Sequence, residues 1–541
     1  MRTYLSPEGA GVPTLPTNCA CEVGWGASQA SQVPCPAKLR RAKWGLDAAL
    51  DRTMLCGVVY TLMSANTSLS LAASTPFTLT IFGASGHLAG QKLYPALYTL
   101  ALKKRLPAQY AIVGYARSDM DDTSFRALIE KAVHAQMPEV NESVLRDFLN
   151  HTHYVQGQYT ELKDFKALAK KLASLEGESA SIRLAYLSIP PTLFTAVLHN
   201  LCEADIHTAS EPFRCIVEKP VGHDLQSAEE IWRELVRCFR EEEVYLLDHY
   251  LGKEAVRNIY YLRFANPILE RLFKNTLIHH VEVSALESVG IEERAGYFEN
   301  TGTLRDMFQS HLLEITALLT TRLGDDASFR EARLHALEEL YIPPATNLDE
   351  VVLQGQYEGY TSEEGVARTS RTNTFATLKL LTRTSRWQGV PFYLRSGKRL
   401  TKKETRISIQ FQVPHPVGIG SGPNRLDIIL QGEAGMRLHL QTKLGGTEPQ
   451  FRPLILEDPL VCVGDCLPEH GLLILEAIHD KQQWFLSFPE VRAAWRLLDP
   501  IQAHLEHAST ALHAYPAGSP GPAEDHAWLA RDGTEWLSSS Q

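Results

Sequence analysis

Thr78-Leu79-Thr80-Ile81-Phe82-Gly83-Ala84-Ser85-Gly86-His87-Leu88-Ala89 is the stretch whose reading decides the fold. Its first five residues are β-prone and uncharged, the pattern of a strand buried on both faces of a parallel sheet. The small residues that follow, Gly-x-x-Gly-x-x-Ala, let a backbone approach a pyrophosphate at a helix N-terminus. Residues 93–102 then read as an amphipathic helix. Strand, turn and helix in this order open a dinucleotide-binding domain, with Gly83, Ala84, Ser85, Gly86, His87, Leu88 and Ala89 as candidate cofactor contacts. Taken alone, such a turn also serves as a plain strand-to-helix connection, so its neighbours must decide.

The next strand, 111–118, carries Arg117 near its end where NAD-binding domains place an acidic residue. A guanidinium there suits the 2′-phosphate of NADP, although a surface arginine after a strand is common. A third strand, 184–189, stops at Pro190-Pro191. The run 213–217 leads into Glu218-Lys219-Pro220. Ligands of an open parallel sheet bind outside the carboxyl ends of its strands. Lys219 therefore emerges either between cofactor and substrate or as a solvated strand-end lysine.

Beyond this half, Asp248-His249-Tyr250-Leu251-Gly252-Lys253-Glu254 gathers a carboxylate, an imidazole, a phenol and an ammonium around one glycine. Such groups bind phosphate and move a hydroxyl proton. Residues 278–287 alternate as a strand closed by Glu287. On an ideal helix over 302–315, Leu304, Phe308, His311 and Ile315 share one stripe about 60° wide. His311 thus faces inward, as a satisfied core histidine or as a base at a cleft wall partnered by Asp248. Asp306 lies about 140° away on that helix. If both side chains reach one sugar, the helix is distorted or the sugar crosses its first turn. Further on, Val390-Pro391-Phe392-Tyr393-Leu394-Arg395-Ser396-Gly397-Lys398-Arg399-Leu400 precedes Lys402, Lys403 and the strand 406–411. That turn fits a phosphate clamp, or a solvated basic loop at a sheet edge.

The 541 residues suffice for two or three domains, with 44% hydrophobic and 21% charged residues as in ordinary globular proteins. A net charge of −10 argues against general nucleic-acid binding. Nine cysteines show neither C-x-x-C nor zinc spacing, so reduced thiols, a cytoplasmic location and no metal site are expected. Residues 1–74 lack periodicity, and the apolar run 54–63 is too short to span a bilayer, which takes roughly 20 residues. No membrane contact is expected. This segment reads as a disordered or over-long N-terminal extension, with Met63 as an alternative start, or as a targeting segment or packed arm.

Together these stretches resemble the glucose-6-phosphate dehydrogenase family over about residues 77–536. The match carries Gly-Ala-Ser-Gly-x-Leu-Ala, Gly-Tyr-Ala-Arg-Ser, Glu-Lys-Pro-x-Gly-x-Asp-Leu, Asp-His-Tyr-Leu-Gly-Lys-Glu, Arg-Asp-Met-x-Gln-x-His-Leu-Leu and Val-Pro-Phe-Tyr-Leu-Arg-Ser-Gly-Lys-Arg-Leu. The resemblance implies an α/β plus α+β fold. A Rossmann-type domain at 75–247 would precede a larger substrate-binding and dimerisation domain at 248–541 with a mainly antiparallel sheet.

It further implies oxidation of glucose 6-phosphate to 6-phosphogluconolactone with NADP, in a homodimer or dimer of dimers. His311 would take the C1 hydroxyl proton and Asp248 would orient it. His249 and Tyr250 would bind phosphate, with Lys398 and Lys403 nearby. Lys253, Glu287 and Asp306 would bind sugar hydroxyls, Lys219 would bridge sugar and cofactor, and Gln431 would contact substrate. The chain departs from the family at His87, Gly90, Ser310, Phe194, Leu246 and Ile429. Ile429 stands where some members use a basic residue to hold a second NADP, and that site is not expected here. Two other readings remain: a catalytically weak homologue with an assembly or regulatory role, and a different Rossmann oxidoreductase or epimerase. The last gives no reason for both the 248–254 heptad and the Lys398 turn.

Overall fold

The computed structural model describes residues 75–177, 181–207, 212–322, 328–413, 422–448, 450–460, 462 and 464–537. The expectation for residues 1–74 lies outside them. Among the described residues no helix is long and apolar enough to cross a membrane.

Six strands form the first sheet: β1 (Phe77–Phe82), β2 (Tyr110–Ala116), β3 (Thr152–Gln156), β4 (Ile182–Leu187), β5 (Phe213–Glu218) and β6 (Val244–Leu247). All pair in parallel, in the order β3-β2-β1-β4-β5-β6. Every residue of β1 is buried, as its uncharged sequence requires of a central strand covered on both faces. Strand order reverses at β1, which opens a crevice outside the carboxyl ends of β1 and β4.

Two local expectations are corrected here. The strand at 184–189 is the fourth, not the third, because Thr-His-Tyr-Val-Gln forms β3 at the sheet edge. Its polar content hides it from a search for apolar runs. The helix after the glycine turn starts at His87 and Leu88, passes through a π-helical segment, Ala89–Leu93, and continues as an α-helix over Tyr94–Leu102. It is not amphipathic: Tyr94 to Leu100 are all buried.

The second sheet holds β7 (Ile278–Leu286), β8 (Leu340–Tyr341), β9 (Val352–Tyr357), β10 (Phe375–Thr382), β11 (Phe392–Gly397), β12 (Glu404–Phe411), β13 (Arg425–Gln431), β14 (Gly435–Lys443), β15 (Phe451–Pro459) and β16 (His513–Tyr515). Its order is β15-β14-β13-β12-β7-β11-β10-β9-β16, with β8 beside β10. Pairing is antiparallel except for β7 with β11 and β9 with β16. Register then places the site. Leu286 at the end of β7 lies opposite Gly397 of β11 and Glu404 of β12, and Thr405 lies opposite Gln431 of β13. Glu287, Lys398, Lys403 and Gln431 are thereby gathered at one end of the sheet.

One large apolar cluster runs through both sheets. Helices Glu469–Ile478 and Phe488–Glu506, late in the chain, pack back against the first sheet's half. Arg214 of β5 donates to the carbonyls of Ala477 and Ile478, and Trp495 Nε1 donates to the Val221 carbonyl at 3.0 Å.

The expectation of unpaired thiols also needs correction. Cys202 is bonded to Cys238 and Cys462 to Cys466, while Cys215 is free and buried. Cys202 and Cys238 are 36 positions apart, so no spacing motif announced them.

Candidate active site

Strand β6 ends at Leu247, and Asp248 caps the following 3-10 turn His249–Gly252 by accepting the Tyr250 amide at 2.9 Å. A Cβ on Gly252 would stand 2.6 Å from the Glu469 carbonyl oxygen, so only glycine lets the helix Glu469–Ile478 approach. The opposite wall is the segment after Gly302. It forms a π-helix over Leu304–Leu312 and an α-helix over Leu313–Thr320. Here the structure chooses between the two sequence-level alternatives: the helix is distorted. Its i→i+5 bonding widens the turn, a device frequent at functional sites. Asp306 and His311, five positions apart, consequently meet the same side chain.

That side chain is Lys219, just past β5. Its Nζ lies 2.6 Å from His311 Nε2, 2.7 Å from the Asp306 carbonyl oxygen and 3.6 Å from Asp306 Oδ1. On the far side of the imidazole, His311 Nδ1 lies 2.7 Å from Asp248 Oδ1. Asp248 is fully buried and His311 is 1% exposed. The Tyr250 ring stacks on the His311 ring with centroids 3.9 Å apart, and His249 meets it edge-on at 4.7 Å. Nδ1–H is thus fixed by Asp248, and Nε2 keeps the lone pair that can accept a proton.

Charge follows geometry. Burial, joined by the Lys219 charge and opposed by Asp248, holds His311 below the usual imidazole range. It is therefore neutral near pH 7, the state a base needs. Burial would raise Asp248, but His311 and Lys219 outweigh it and hold the carboxyl below its ordinary value. Asp306 is likewise pulled down against burial to about 2 by Lys219 and Lys398. Burial pushes Lys253 down to about 8, with Glu469 and Asp248 opposing.

The remaining substrate candidates ring this centre. Lys253 Nζ stands 3.6 Å over the Tyr250 ring and 3.3 Å from Gln431 Oε1. The Tyr250 hydroxyl is 3.5 Å from Thr405 Oγ1. Lys398 is paired with Glu287, and the Tyr297 hydroxyl donates to Asp306 Oδ1 at 3.4 Å. Lys403 is the outlier. It is exposed, and its influence on the centre is through charge, felt at Lys253.

Sequence reasoning passed over Lys92, Tyr297, Thr405, Glu469 and His470. Lys92 pairs with Glu469 at 3.4 Å, and the His470 ring stacks near His249 at 6.0 Å while its Nε2 lies 3.5 Å from Glu218 Oε1. Only Lys92 carried a signal, three residues past the glycine turn. Glu469 and His470 arrive from more than 200 positions away.

The cofactor candidates occupy the crevice at the sheet's switch point. A cavity of 560 Å³ is lined by Gly83, Ser85, Gly86, Arg117, Ser118, Tyr159, Ser188 and Pro190, among others. Gly83 has φ +85°, and a Cβ there would come within 2.1 Å of the Ser188 carbonyl oxygen. Arg117 is exposed, its guanidinium 6.0 Å from the Tyr159 ring centroid. Ala84 and Ala89 are buried beneath the turn, Leu88 is half-buried and His87 is exposed. The bare backbone, its position before a helix and the nearby guanidinium fit a dinucleotide. Register puts Leu187 opposite Val217, so this crevice and Lys219 adjoin.

Ligand atoms of Asp248, His249 and His311 lie within 4.8 Å of one another. The Lys219 ammonium already occupies the open side of His311, which disfavours a metal cation there.

Comparison with known proteins matches residues 80–258 to the NAD binding domain of glucose-6-phosphate dehydrogenase and residues 260–537 to its C-terminal domain. The glucose-6-phosphate 1-dehydrogenase of Mycolicibacterium smegmatis is 34% identical, covering 85% of this chain and 97% of that protein. That of Rhizobium meliloti is 33% identical with the same coverage. Among solved structures, a glucose-6-phosphate dehydrogenase in complex with its substrate glucose-6-phosphate superposes with a TM-score of 0.79. It is 30% identical and covers 86% of this chain and 99% of that one. The Mycobacterium avium enzyme gives 0.74 at 28% identity, covering 85% and 99%.

Proposed function

The chain belongs to the glucose-6-phosphate dehydrogenase family, and on that premise we propose that it oxidises D-glucose 6-phosphate to 6-phospho-D-glucono-1,5-lactone with NADP as hydride acceptor. The observation that carries the reading is the buried relay Asp248–His311–Lys219, with contacts of 2.7 and 2.6 Å on the two imidazole nitrogens. His311 Nε2 accepts the C1 hydroxyl proton, the C1–H bond gives its electron pair as hydride, and the C1–O bond becomes a carbonyl. Asp248 steadies the imidazolium so formed. Lys219 gives up its bond to Nε2 when the hydroxyl arrives and turns between sugar and cofactor.

His249 and Tyr250, with Lys398 and Lys403 nearby, attract the phosphate dianion locally in a chain of net charge −10. Lys253, Glu287 and Asp306 bind sugar hydroxyls, and Gln431 contacts the substrate. The bound nicotinamide supplies the hydride acceptor, and the residues from Gly83 to Ala89 form the turn that receives its pyrophosphate. Arg117 beside the crevice favours the 2′-phosphate of NADP. A division into a nucleotide-binding domain at 75–247 and a substrate-binding domain at 248–541 agrees with the two sheets.

Association into dimers, or dimers of dimers, is supported by the outer strand β15, where Leu454, Ile455 and Leu456 are 37%, 44% and 51% exposed. A cytoplasmic site in the oxidative pentose phosphate route goes with this reading. The test is steady-state NADPH formation from glucose 6-phosphate, run in parallel with NAD. No turnover with intact substrate binding would replace the enzyme by the regulatory homologue.

A further inference from the structure

Behind the His311–Asp248 pair lies a buried charged group that the proposed reaction leaves unused. Glu314 follows His311 by three positions and is 2% exposed. It faces Arg333 of helix Phe329–Glu338, which is fully buried, and beyond it Glu490 of helix Phe488–Glu506, also fully buried.

Arg333 gives Glu314 no hydrogen bond. Its Nε donates to Glu490 Oε1 at 2.6 Å, and Nη2 donates to Glu490 Oε2 at 3.1 Å and to the Phe485 carbonyl at 2.8 Å. Nη1 donates to the Gln483 carbonyl at 3.1 Å. Glu490 also accepts the amide and hydroxyl of Ser487 at 2.6 and 2.8 Å, so it is the arginine's settled anion. Glu314 Oε2 stands 3.4 Å from Arg333 Nε without a bond. One guanidinium committed to Glu490 does not also neutralise Glu314, and an ionised carboxylate without donors is costly to bury.

The orphaned atoms complete the argument. Asp248 Oδ2 is buried and has no hydrogen-bond partner, as is Glu314 Oε2. Glu314 shares a helix face with His311, three positions before it, and Asp248 lies 2.7 Å from His311, so the two carboxyls border one compartment. One lacks a donor, and the other becomes a donor if it keeps its proton. Resting on the assignment of Asp248 and His311 above, we propose that Glu314 is a positioning residue: it stays a neutral acid and donates its O–H to Asp248 Oδ2. Asp248 is then held from both sides, by Glu314 at Oδ2 and by the Tyr250 amide at Oδ1, and presents Oδ1 to His311 in a fixed orientation.

Charges around the group agree. Burial and then Glu490 hold Glu314 well above the carboxylate range, Arg333 opposing and Asp248 adding to the rise. The other charged groups facing this compartment include Lys219 after β5, His311 on the same helix, and Arg330 of helix Phe329–Glu338, which interacts with Glu490 and Arg333. Arg263 of helix Glu254–Ala265 reaches that helix further along, donating to the carbonyls of Leu318 and Leu319.

The test uses the full chain and the variants Glu314→Gln and Glu314→Ala. At neutral pH, infrared difference spectra of wild type against Glu314→Gln are expected to show the carbonyl band of a protonated carboxylic acid in wild type only. Absence of that band overturns the proposal, whatever the activity. Glu314→Ala should lower kcat about tenfold, as loss of a hydrogen bond to a charged group does, with KM for glucose 6-phosphate within about twofold. Glu314→Gln, whose amide can make the same bond, should restore kcat and leave the acid limb of the kcat profile in place. An acid limb displaced in Glu314→Gln means that a negative charge was removed, and overturns the proposal. So does wild-type kcat in Glu314→Ala. If that variant does not fold, the band and the Glu314→Gln profile decide. The parent reading fails separately, through full activity in His311→Asn, which leaves the infrared result untouched.

Discussion

Replacing His311 by Asn removes one function and preserves the rest. In the folded chain Nδ1–H is committed to Asp248 at 2.7 Å, while Nε2 faces Lys219 at 2.6 Å and keeps the ring's acceptor lone pair. Asn keeps an N–H that can reach Asp248 and lacks an acceptor at the Nε2 position. The transition state thus loses its proton acceptor, and the ground state keeps its phosphate ligands. General-base catalysis contributes about 10² to 10⁴ in rate, so a loss of at least about 10² is expected in kcat, or about 2.7 kcal/mol. KM for glucose 6-phosphate should change little, because Tyr250, Lys253 and Gln431 are untouched.

The assay is NADPH absorbance under saturating substrate, with thermal unfolding as the control for folding. Asp248→Asn should also depress kcat, and the double variant should fall hardly further, since the two residues act as one unit. A His311→Asn enzyme with kcat near wild type would refute the base assignment. Additive losses in the double variant would refute the coupling of the pair.

Arg117→Ala should raise KM for NADP at least about tenfold, the loss of a charge-assisted phosphate contact, with a smaller effect on NAD; equal losses for both cofactors would remove the 2′-phosphate assignment. Lys253→Ala should raise KM for glucose 6-phosphate by about one order of magnitude or more with kcat less affected, and unaltered affinity in fluorescence titration would displace it from the site. Lys253 is cationic below about 8 and neutral above it, so kcat/KM should fall as pH rises through about 8. The acid limb should lie below the usual imidazole range, because burial keeps His311 neutral to lower pH. A bell centred above those limits would contradict both. Gly83→Ala places a Cβ 2.1 Å from the Ser188 carbonyl oxygen at φ +85°, so it should lower Tm and NADP affinity together. The backbone strain alone is worth about 1–3 kcal/mol.

The chain's order of residues marked the turn after β1 as a candidate nucleotide-binding turn, and the strands that follow it, with Arg117 and Lys219 at their ends, favoured that over a plain strand-to-helix connection. It also singled out a candidate base, its carboxylate partner and candidate phosphate ligands, because these cluster in short, unusual runs that resemble one family. It missed β3, whose edge position demands little apolar sequence, and the Cys202–Cys238 bond, which joins two helices without a spacing signal. The ideal helical wheel placed Asp306 and His311 on different faces, and periodicity offered no choice between a distorted helix and a sugar lying across it.

Tertiary structure made that choice with a π-helix, whose wider turn brings both residues to Lys219 from another strand end. It alone determined that Lys398 is paired while Lys403 is exposed, that His470 stacks near His249, and that Asp248 Oδ2 and Glu314 Oε2 are both buried without a hydrogen-bond partner. The physical reason is the range of the forces involved. Local sterics and burial pattern are written in neighbouring residues. Charge neutrality and hydrogen-bond satisfaction in a dry compartment depend on groups that meet only after the chain has folded.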